Sequence, residues 1–168
     1  MKELILLRHA KSDWGGEFLK DIDRPLNDRG YLDAYVLSEW YKNTKALPDL
    51  ILSSTATRAM NTALIFLRTL ELNQTSFQLE ESIYESSVKN LISVIQQQNN
   101  KVQTLLLAGH NPGITELTNN LTPDLFFDNV PTCALISITF DAKKWVDLEP
   151  GKGKLNYYQY PKNYKNPN

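Results

Sequence analysis

The sequence predicts an α/β fold, a mostly parallel central sheet with helices on both faces. It reads as one compact domain over residues 1–160 without a lid, followed by a flexible tail over 161–168. Three observations point there. Short apolar runs recur along the chain and each ends in small or polar residues, as strands buried on both faces do. The stretches between them change to helical spacing. A chain of 168 residues with 42% hydrophobic content is long enough to bury roughly 70% of its extended surface around one core.

The first run, Glu3 to Leu7, stops at Arg8-His9, the second, Leu50 to Leu52, at Ser53-Ser54, and the third, Thr104 to Ala108, at Gly109-His110. Leu32, Tyr35, Val36 and Trp40 fall at i, i+3, i+4 and i+8, which predicts a helix with those residues as its core stripe. Ala59, Thr62, Ala63, Phe66, Leu67 and Leu70 mark a second helix. Val88, Leu91, Ile92 and Ile95 mark a third over Ser87 to Gln98, capped by Ser86 or Ser87. A fourth follows Pro112-Gly113 through Ile114, Leu117 and Leu121. Strands separated by helices imply right-handed βαβ units. Ala134 to Phe140 and Leu155 to Tyr160 add two β-rich segments, one or both at an edge, with a loop from Trp145 to Lys154 between them.

Composition removes several classes of function. Eighteen basic against 19 acidic residues leave a net charge of −1, too little to recruit nucleic acid or an anionic membrane. Cys133 stands alone, which excludes an internal disulfide framework and a cysteine-rich zinc site and fits a reducing, cytoplasmic compartment. No stretch approaches the ~18 apolar residues of a membrane span, and the N-terminal run is too short for a signal segment. The expectation is a soluble monomer.

The chain has two histidines, and each directly follows a predicted buried strand. In open α/β sheets the ligand crevice lies beyond the carboxyl ends of the strands, so His9 and His110 share one cleft if their strands are neighbours. Arg8, at the end of a buried strand, requires an anion or a carboxylate, with Asp49 and Asp23 as the structural partners on offer. The third strand end leads through Ser53, Ser54 and Thr55 to Arg58, at the start of a helix whose unpaired N–H groups favour anions. Two arginines and two histidines without an evident acidic counterweight suit a phosphoryl group, whose oxygens match the guanidinium fork. Asn111 either donates into the pocket or shapes the Asn-Pro-Gly turn. The charged run Asp23 to Gly30 reads as a salt-bridged loop bracing the entrance. The run Gly151 to Lys154 has no Walker spacing and reads as a solvated loop. Two histidines, one cysteine and a repelling Arg8 leave no metal site and no cofactor to expect.

The runs LILLRHAKS (Leu4 to Ser12), SSTATRAMNTA (Ser53 to Ala63) and GHNPGI (Gly109 to Ile114) resemble the nucleophile, second-arginine and second-histidine motifs of the histidine phosphatase superfamily. The RHAKSDW, DRPLNDRG and IYES segments resemble more narrowly the SixA-type phosphohistidine phosphatases. What the resemblance implies is a phosphoglycerate mutase-like fold and a metal-independent hydrolase. His9 would be the nucleophile that forms a phosphohistidine intermediate, with Arg8, Arg58 and His110 clamping the oxygens. It places a proton donor near Glu85, with Glu81 or water in reserve. Ala10 stands where the wider family has glycine, a departure shared with the SixA-type group. With no insertion long enough for a lid, the expected substrate is a phosphohistidine of a phosphocarrier or phosphotransfer protein. The alternatives are small phosphomonoesters such as sugar phosphates, or a non-catalytic phosphoprotein-binding module.

Overall fold

Leu4, Ile5, Leu6 and Leu7 are all fully buried, and alternate residues feed different cores. Leu4 and Leu6 join one cluster with Leu105, Leu107, Ile136 and Ile138; Ile5 and Leu7 join the other with Leu106, Ala108 and Leu135. That alternation is the signature of a strand covered on both faces. The computed structural model describes residues 1–14 and 16–165. These form a six-stranded sheet in the order β3-β2-β4-β1-β5-β6. Its strands are β1 (Lys2–Arg8), β2 (Leu50–Ser53), β3 (Phe77–Leu79), β4 (Thr104–Gly109), β5 (Leu135–Phe140) and β6 (Lys154–Gln159). The first four run parallel, whereas β5 lies antiparallel beside β1 and β6 is the antiparallel edge.

One face is covered by α3 (Val88–Gln96) and α4 (Gly113–Leu121), the other by α1 (Asp28–Thr44) and α2 (Thr57–Thr69). Ser87 caps α3 by accepting from the Asn90 N–H, and α2 buries the stripe Ala59, Thr62, Ala63, Phe66 and Leu67. Helix α1 departs from the expected face. It buries Gly30, Asp33, Ala34, Leu37, Ser38 and Tyr41, while Leu32 is 55% and Tyr35 46% exposed and Trp40 is only half-buried, against Tyr157. The reason is proximity: a Cβ on Gly30 would lie 2.0 Å from the Lys11 carbonyl oxygen, so this face must carry small residues at its N-terminal end. Trp145, which opens the loop expected between the last two strands, is fully buried, and its indole N–H donates to the Val102 carbonyl oxygen at 2.9 Å. The segment from 161 opens as the short helix α5 (Pro161–Lys165) against α1, with Pro161 buried, where the sequence predicts a tail; residues 166–168 lie outside the described residues.

The consequence for the site is one of register. Strand β1 pairs with β4 so that Arg8 faces Gly109, and β2 pairs with β4 so that Ser53 faces Ala108. Three strand ends therefore open side by side.

Candidate active site

The pairing runs one residue past the strands, because the His9 N–H donates to the Gly109 carbonyl oxygen at 3.0 Å and the Ser54 N–H to that of Ala108 at 3.0 Å. His9 is thereby set beside His110, with 5.2 Å between ring centroids. The Cys133 N–H bridges the carbonyl oxygens of Arg8 and His9, both at 3.1 Å, and pins the end of β1 from the turn that leads into β5. The Ala10 N–H donates to Thr62 Oγ1 at 3.0 Å, whose hydroxyl donates to the Arg58 carbonyl oxygen at 2.7 Å, tying the His9 loop to the first turns of α2.

His9 is 7% exposed and its Nδ1 lies 2.8 Å from the Ala10 carbonyl oxygen. Burial, and after it the charges of Arg58, Arg8 and Arg24, push its pKa down to about 4 against the raising effect of the Ala10 carbonyl. The ring is therefore neutral near pH 7; a carbonyl can only accept, so Nδ1 carries the proton and Nε2 the free lone pair. His110 is pushed down to about 3, by burial first and then by His9 and Arg58. Its Nε2 lies 2.7 Å from Ser54 Oγ. That hydroxyl accepts the Ala56 N–H at 3.2 Å and keeps its own hydrogen to donate to the imidazole.

Both guanidinium groups are tethered by their far nitrogens. Arg8 Nη1 donates to the Val130 carbonyl oxygen at 2.7 Å; Arg58, 6% exposed, donates from Nη1 to the Asp21 carbonyl oxygen at 2.7 Å and from Nη2 to Asp21 Oδ2 at 3.0 Å. This leaves Arg8 Nε, Arg58 Nε and His110 Nδ1 buried without a hydrogen-bond partner among the described residues, and Thr55 Oγ1, on the turn from β2 into α2, shares that condition. Buried donors are rarely left so. Two guanidinium edges and an imidazole around a neutral histidine make a cradle for a tetrahedral oxyanion.

The acidic counterweight that the sequence does not disclose is Asp21, on the turn Asp21–Asp23. It takes Arg58, Arg24 and the Tyr84 hydroxyl together, and these hydrogen bonds, Tyr84 first, hold its pKa down to about 2. Arg8 accordingly pairs with neither candidate carboxylate: its partner is a main-chain oxygen, and Asp49 instead accepts the Gln103 and Thr104 N–H groups. In the stretch from Asp23, Arg24 reaches back to Asp21, Ser12 and Asp13, whereas Asp28 and Arg29 open α1.

Beside the cradle lies a cleft of about 620 Å³ whose lining includes Asp21, Arg58, Tyr84, Glu85, His110 and Asn111. Arg8 and His9 are not in its wall; the His9 ring sits against His110. Glu85 is exposed at the rim with φ +51°, and Glu81 is exposed on the preceding turn outside the lining. Asn111 lines the cleft, but its amide hydrogens go to Asn129 Oδ1 and the Val130 carbonyl oxygen, both at 3.0 Å, and its Oδ1 accepts from Thr115. Of the two roles open to it, this favours shaping the turn. Asp21, Tyr84 and Ser54 are the site residues the sequence reading missed.

The histidine phosphatase superfamily (branch 1) matches the chain over residues 4–91. The chain belongs to that superfamily. The superfamily match, together with a likeness to solved SixA structures, supports phosphatase activity, a hydrolase reaction. An uncharacterized protein of Mycobacterium tuberculosis is 29% identical over 169 residues, covering 93% of this chain and all of the relative. Among solved structures, a SixA of Agrobacterium tumefaciens is similar with a TM-score of 0.79 and 26% identity, over 95% of this chain and 98% of that one. A protein histidine phosphatase SixA complexed with tungstate superimposes with a TM-score of 0.81 at 23% identity, covering 96% and 98%. The superfamily match includes Arg8, His9 and Arg58; His110 lies beyond it and joins them through the β1–β4 pairing. Among the described residues no three histidine, cysteine, aspartate or glutamate side chains cluster as metal ligands, and no helix is long and apolar enough to cross a membrane.

Proposed function

We propose that this phosphatase removes the phosphoryl group from a phosphohistidine of a phosphocarrier or phosphotransfer protein, through a covalent intermediate on His9. The observation that carries the reading is the His9 ring, neutral and hydrogen-bonded at Nδ1 to Ala10, with its Nε2 lone pair free beside three unpartnered donors. Nε2 attacks phosphorus in line, and the P–N bond to the substrate breaks. Its electron pair passes to the leaving imidazole nitrogen, which takes a proton from water. Arg8, Arg58 and His110 hold the phosphoryl oxygens while charge redistributes, and the Ala10 carbonyl oxygen stabilises the positive charge of the phosphorylated ring. Water then attacks phosphorus, the P–Nε2 bond breaks, and inorganic phosphate leaves with His9 neutral again. Asn111 keeps the His110 turn in shape.

The chain between α2 and β4 holds only β3, short turns and α3, so this crossover carries no segment of lid size. A phosphoryl group presented on a protein surface suits such an arrangement, since enzymes of small metabolites enclose them. The 620 Å³ cleft favours a second reading, a small phosphomonoester whose alcohol occupies it with Glu85 as proton donor. Steady-state rates on a histidine-phosphorylated carrier protein against a panel of small phosphomonoesters separate the two, and preference for the panel overturns the first. The chemistry proposed needs no metal: a chelator is expected to leave turnover unchanged, and its loss would overturn that part.

A further inference from the structure

Tyr84 touches both sides of the cradle. Its hydroxyl donates to Asp21 Oδ2 at 2.5 Å, a contact spanning 63 positions of sequence. Its ring stands edge-on to His110 with 5.5 Å between centroids, and the Arg58 guanidinium carbon lies 6.0 Å from the ring centroid.

Arg58 and Asp21 are an unequal pair. The arginine side chain is 7% exposed, whereas that of Asp21 is 49% exposed on a short turn. The half-exposed partner is the one anchoring the buried one. A guanidinium has five N–H donors along fixed edges, and an anchor at its far end decides which edge remains free. With Nη1 and Nη2 on Asp21, the free edge is the one containing Nε, the buried nitrogen that lacks a partner. An exposed carboxylate that swung away would free the far end and let the guanidinium rotate. Two contacts hold Asp21 from either side: Arg24 Nε on Oδ1 at 3.0 Å, and the Tyr84 hydroxyl on Oδ2, the same oxygen that takes Arg58.

We propose that Tyr84 is a positioning residue that, through Asp21, holds Arg58 with its Nε edge toward the phosphoryl group, its ring braced on His110 so that the hydroxyl is aimed. The inference rests on the oxyanion-site reading above and adds to it a residue that does not itself touch substrate. The preceding residue, Ile83, is 2% exposed, so the backbone carrying Tyr84 is anchored in the core while Asp21 is not. The phenol is the stiffer partner.

Tungstate, an inert tetrahedral oxyanion, reads the cradle without turnover. Its affinity is measured by titration calorimetry for the wild type, Tyr84→Phe, Asp21→Asn and the double variant, and again for Tyr84→Phe in an Arg58→Ala background. Tyr84→Phe keeps the ring and is expected to weaken tungstate about tenfold with an unchanged melting temperature. The double variant should lose no more than Asp21→Asn alone, and the Tyr84→Phe effect should vanish once Arg58 is gone. Affinity unchanged in Tyr84→Phe, or an undiminished loss without Arg58, overturns the inference alone. A wild-type protein that binds no tungstate overturns the oxyanion site and this inference with it.

Discussion

The Nδ1 of His9 lies 2.8 Å from the carbonyl oxygen of Ala10, and this contact decides which ring nitrogen can react. Donation there fixes one tautomer and turns Nε2 outward as a lone pair. His9→Ala is expected to lower turnover by at least about a thousandfold, as removal of a covalent nucleophile does, while circular dichroism and melting stay near wild type. Wild-type protein quenched during turnover should carry acid-labile phosphate on His9, seen by mass spectrometry. Turnover within tenfold of wild type in His9→Ala would sink the assignment.

Both imidazoles titrate far below the usual value of 6.5, His9 at about 4 and His110 at about 3, chiefly because they are buried. The unfolded chain therefore takes up protons first as pH falls. The stability that the neutral rings contribute is fully present above pH 6.5 and is lost as pH drops through 6.5 toward 4 and then 3. Calorimetry should show the melting temperature falling across that window, with a shallower fall in His9→Asn. The acid limb of kcat/KM, which reports the free enzyme, is expected near pH 4. A limb at 6.5 would mean that the rings are not desolvated.

Ser54 is fully buried and its hydroxyl meets His110 Nε2 at 2.7 Å. Donation to that nitrogen leaves the proton on Nδ1, where the cradle needs a donor. Ser54→Ala releases the ring to either tautomer, and we expect a loss of about tenfold in kcat, equivalent to about 1.4 kcal/mol, with about 1 kcal/mol of stability. Nitrogen-15 shifts of the imidazole check the cause: an Nδ1–H tautomer that persists in Ser54→Ala contradicts it.

Glu85 lines the cleft from an exposed position. An alkoxide needs a proton to leave, whereas a protonated imidazole is already a good leaving group. Glu85→Gln should thus reduce rates on alkyl phosphates by about a hundredfold, the lower range for general acid catalysis, and those on phosphohistidine far less. Equal losses on both would remove Glu85 from the proton-donor role.

Arg8, His9, Arg58 and His110 were legible because each follows a signal that sequence carries well, the abrupt end of an apolar run or the start of a periodic helix. Their meeting needed only neighbouring parallel strands, which the register of Arg8 with Gly109 provides. Asp21 and Tyr84 were not legible, since they reach the site from loops and their contact depends on how those loops dock. The Arg8 anchor is a main-chain oxygen of Val130, an acceptor that every residue type supplies and no pattern marks. In α1 the period was readable and the face was not. Larger apolar residues drew the stripe to Leu32 and Tyr35, while the sheet side had to admit Gly30 against backbone.

That close approach yields a further prediction, one in which two effects oppose each other. Glycine within a helix costs about 1 kcal/mol relative to alanine, so Gly30→Ala should stabilise α1 if space allowed. A Cβ there would meet the Lys11 carbonyl oxygen at 2.0 Å and its carbonyl carbon at 2.9 Å, both backbone atoms in the loop just beyond His9. Lys11 O also accepts the Asn27 N–H at 3.0 Å, so the loop cannot retreat without losing that bond. Overpacking of this kind costs about 1–3 kcal/mol or more and outweighs the propensity gain. Urea midpoints should fall for Gly30→Ala, with activity reduced as the His9 loop shifts, whereas Gly16→Ala, where a Cβ meets nothing within 4 Å, should match wild type. A Gly30→Ala protein as stable as wild type would show that α1 and the nucleophile loop are not in contact.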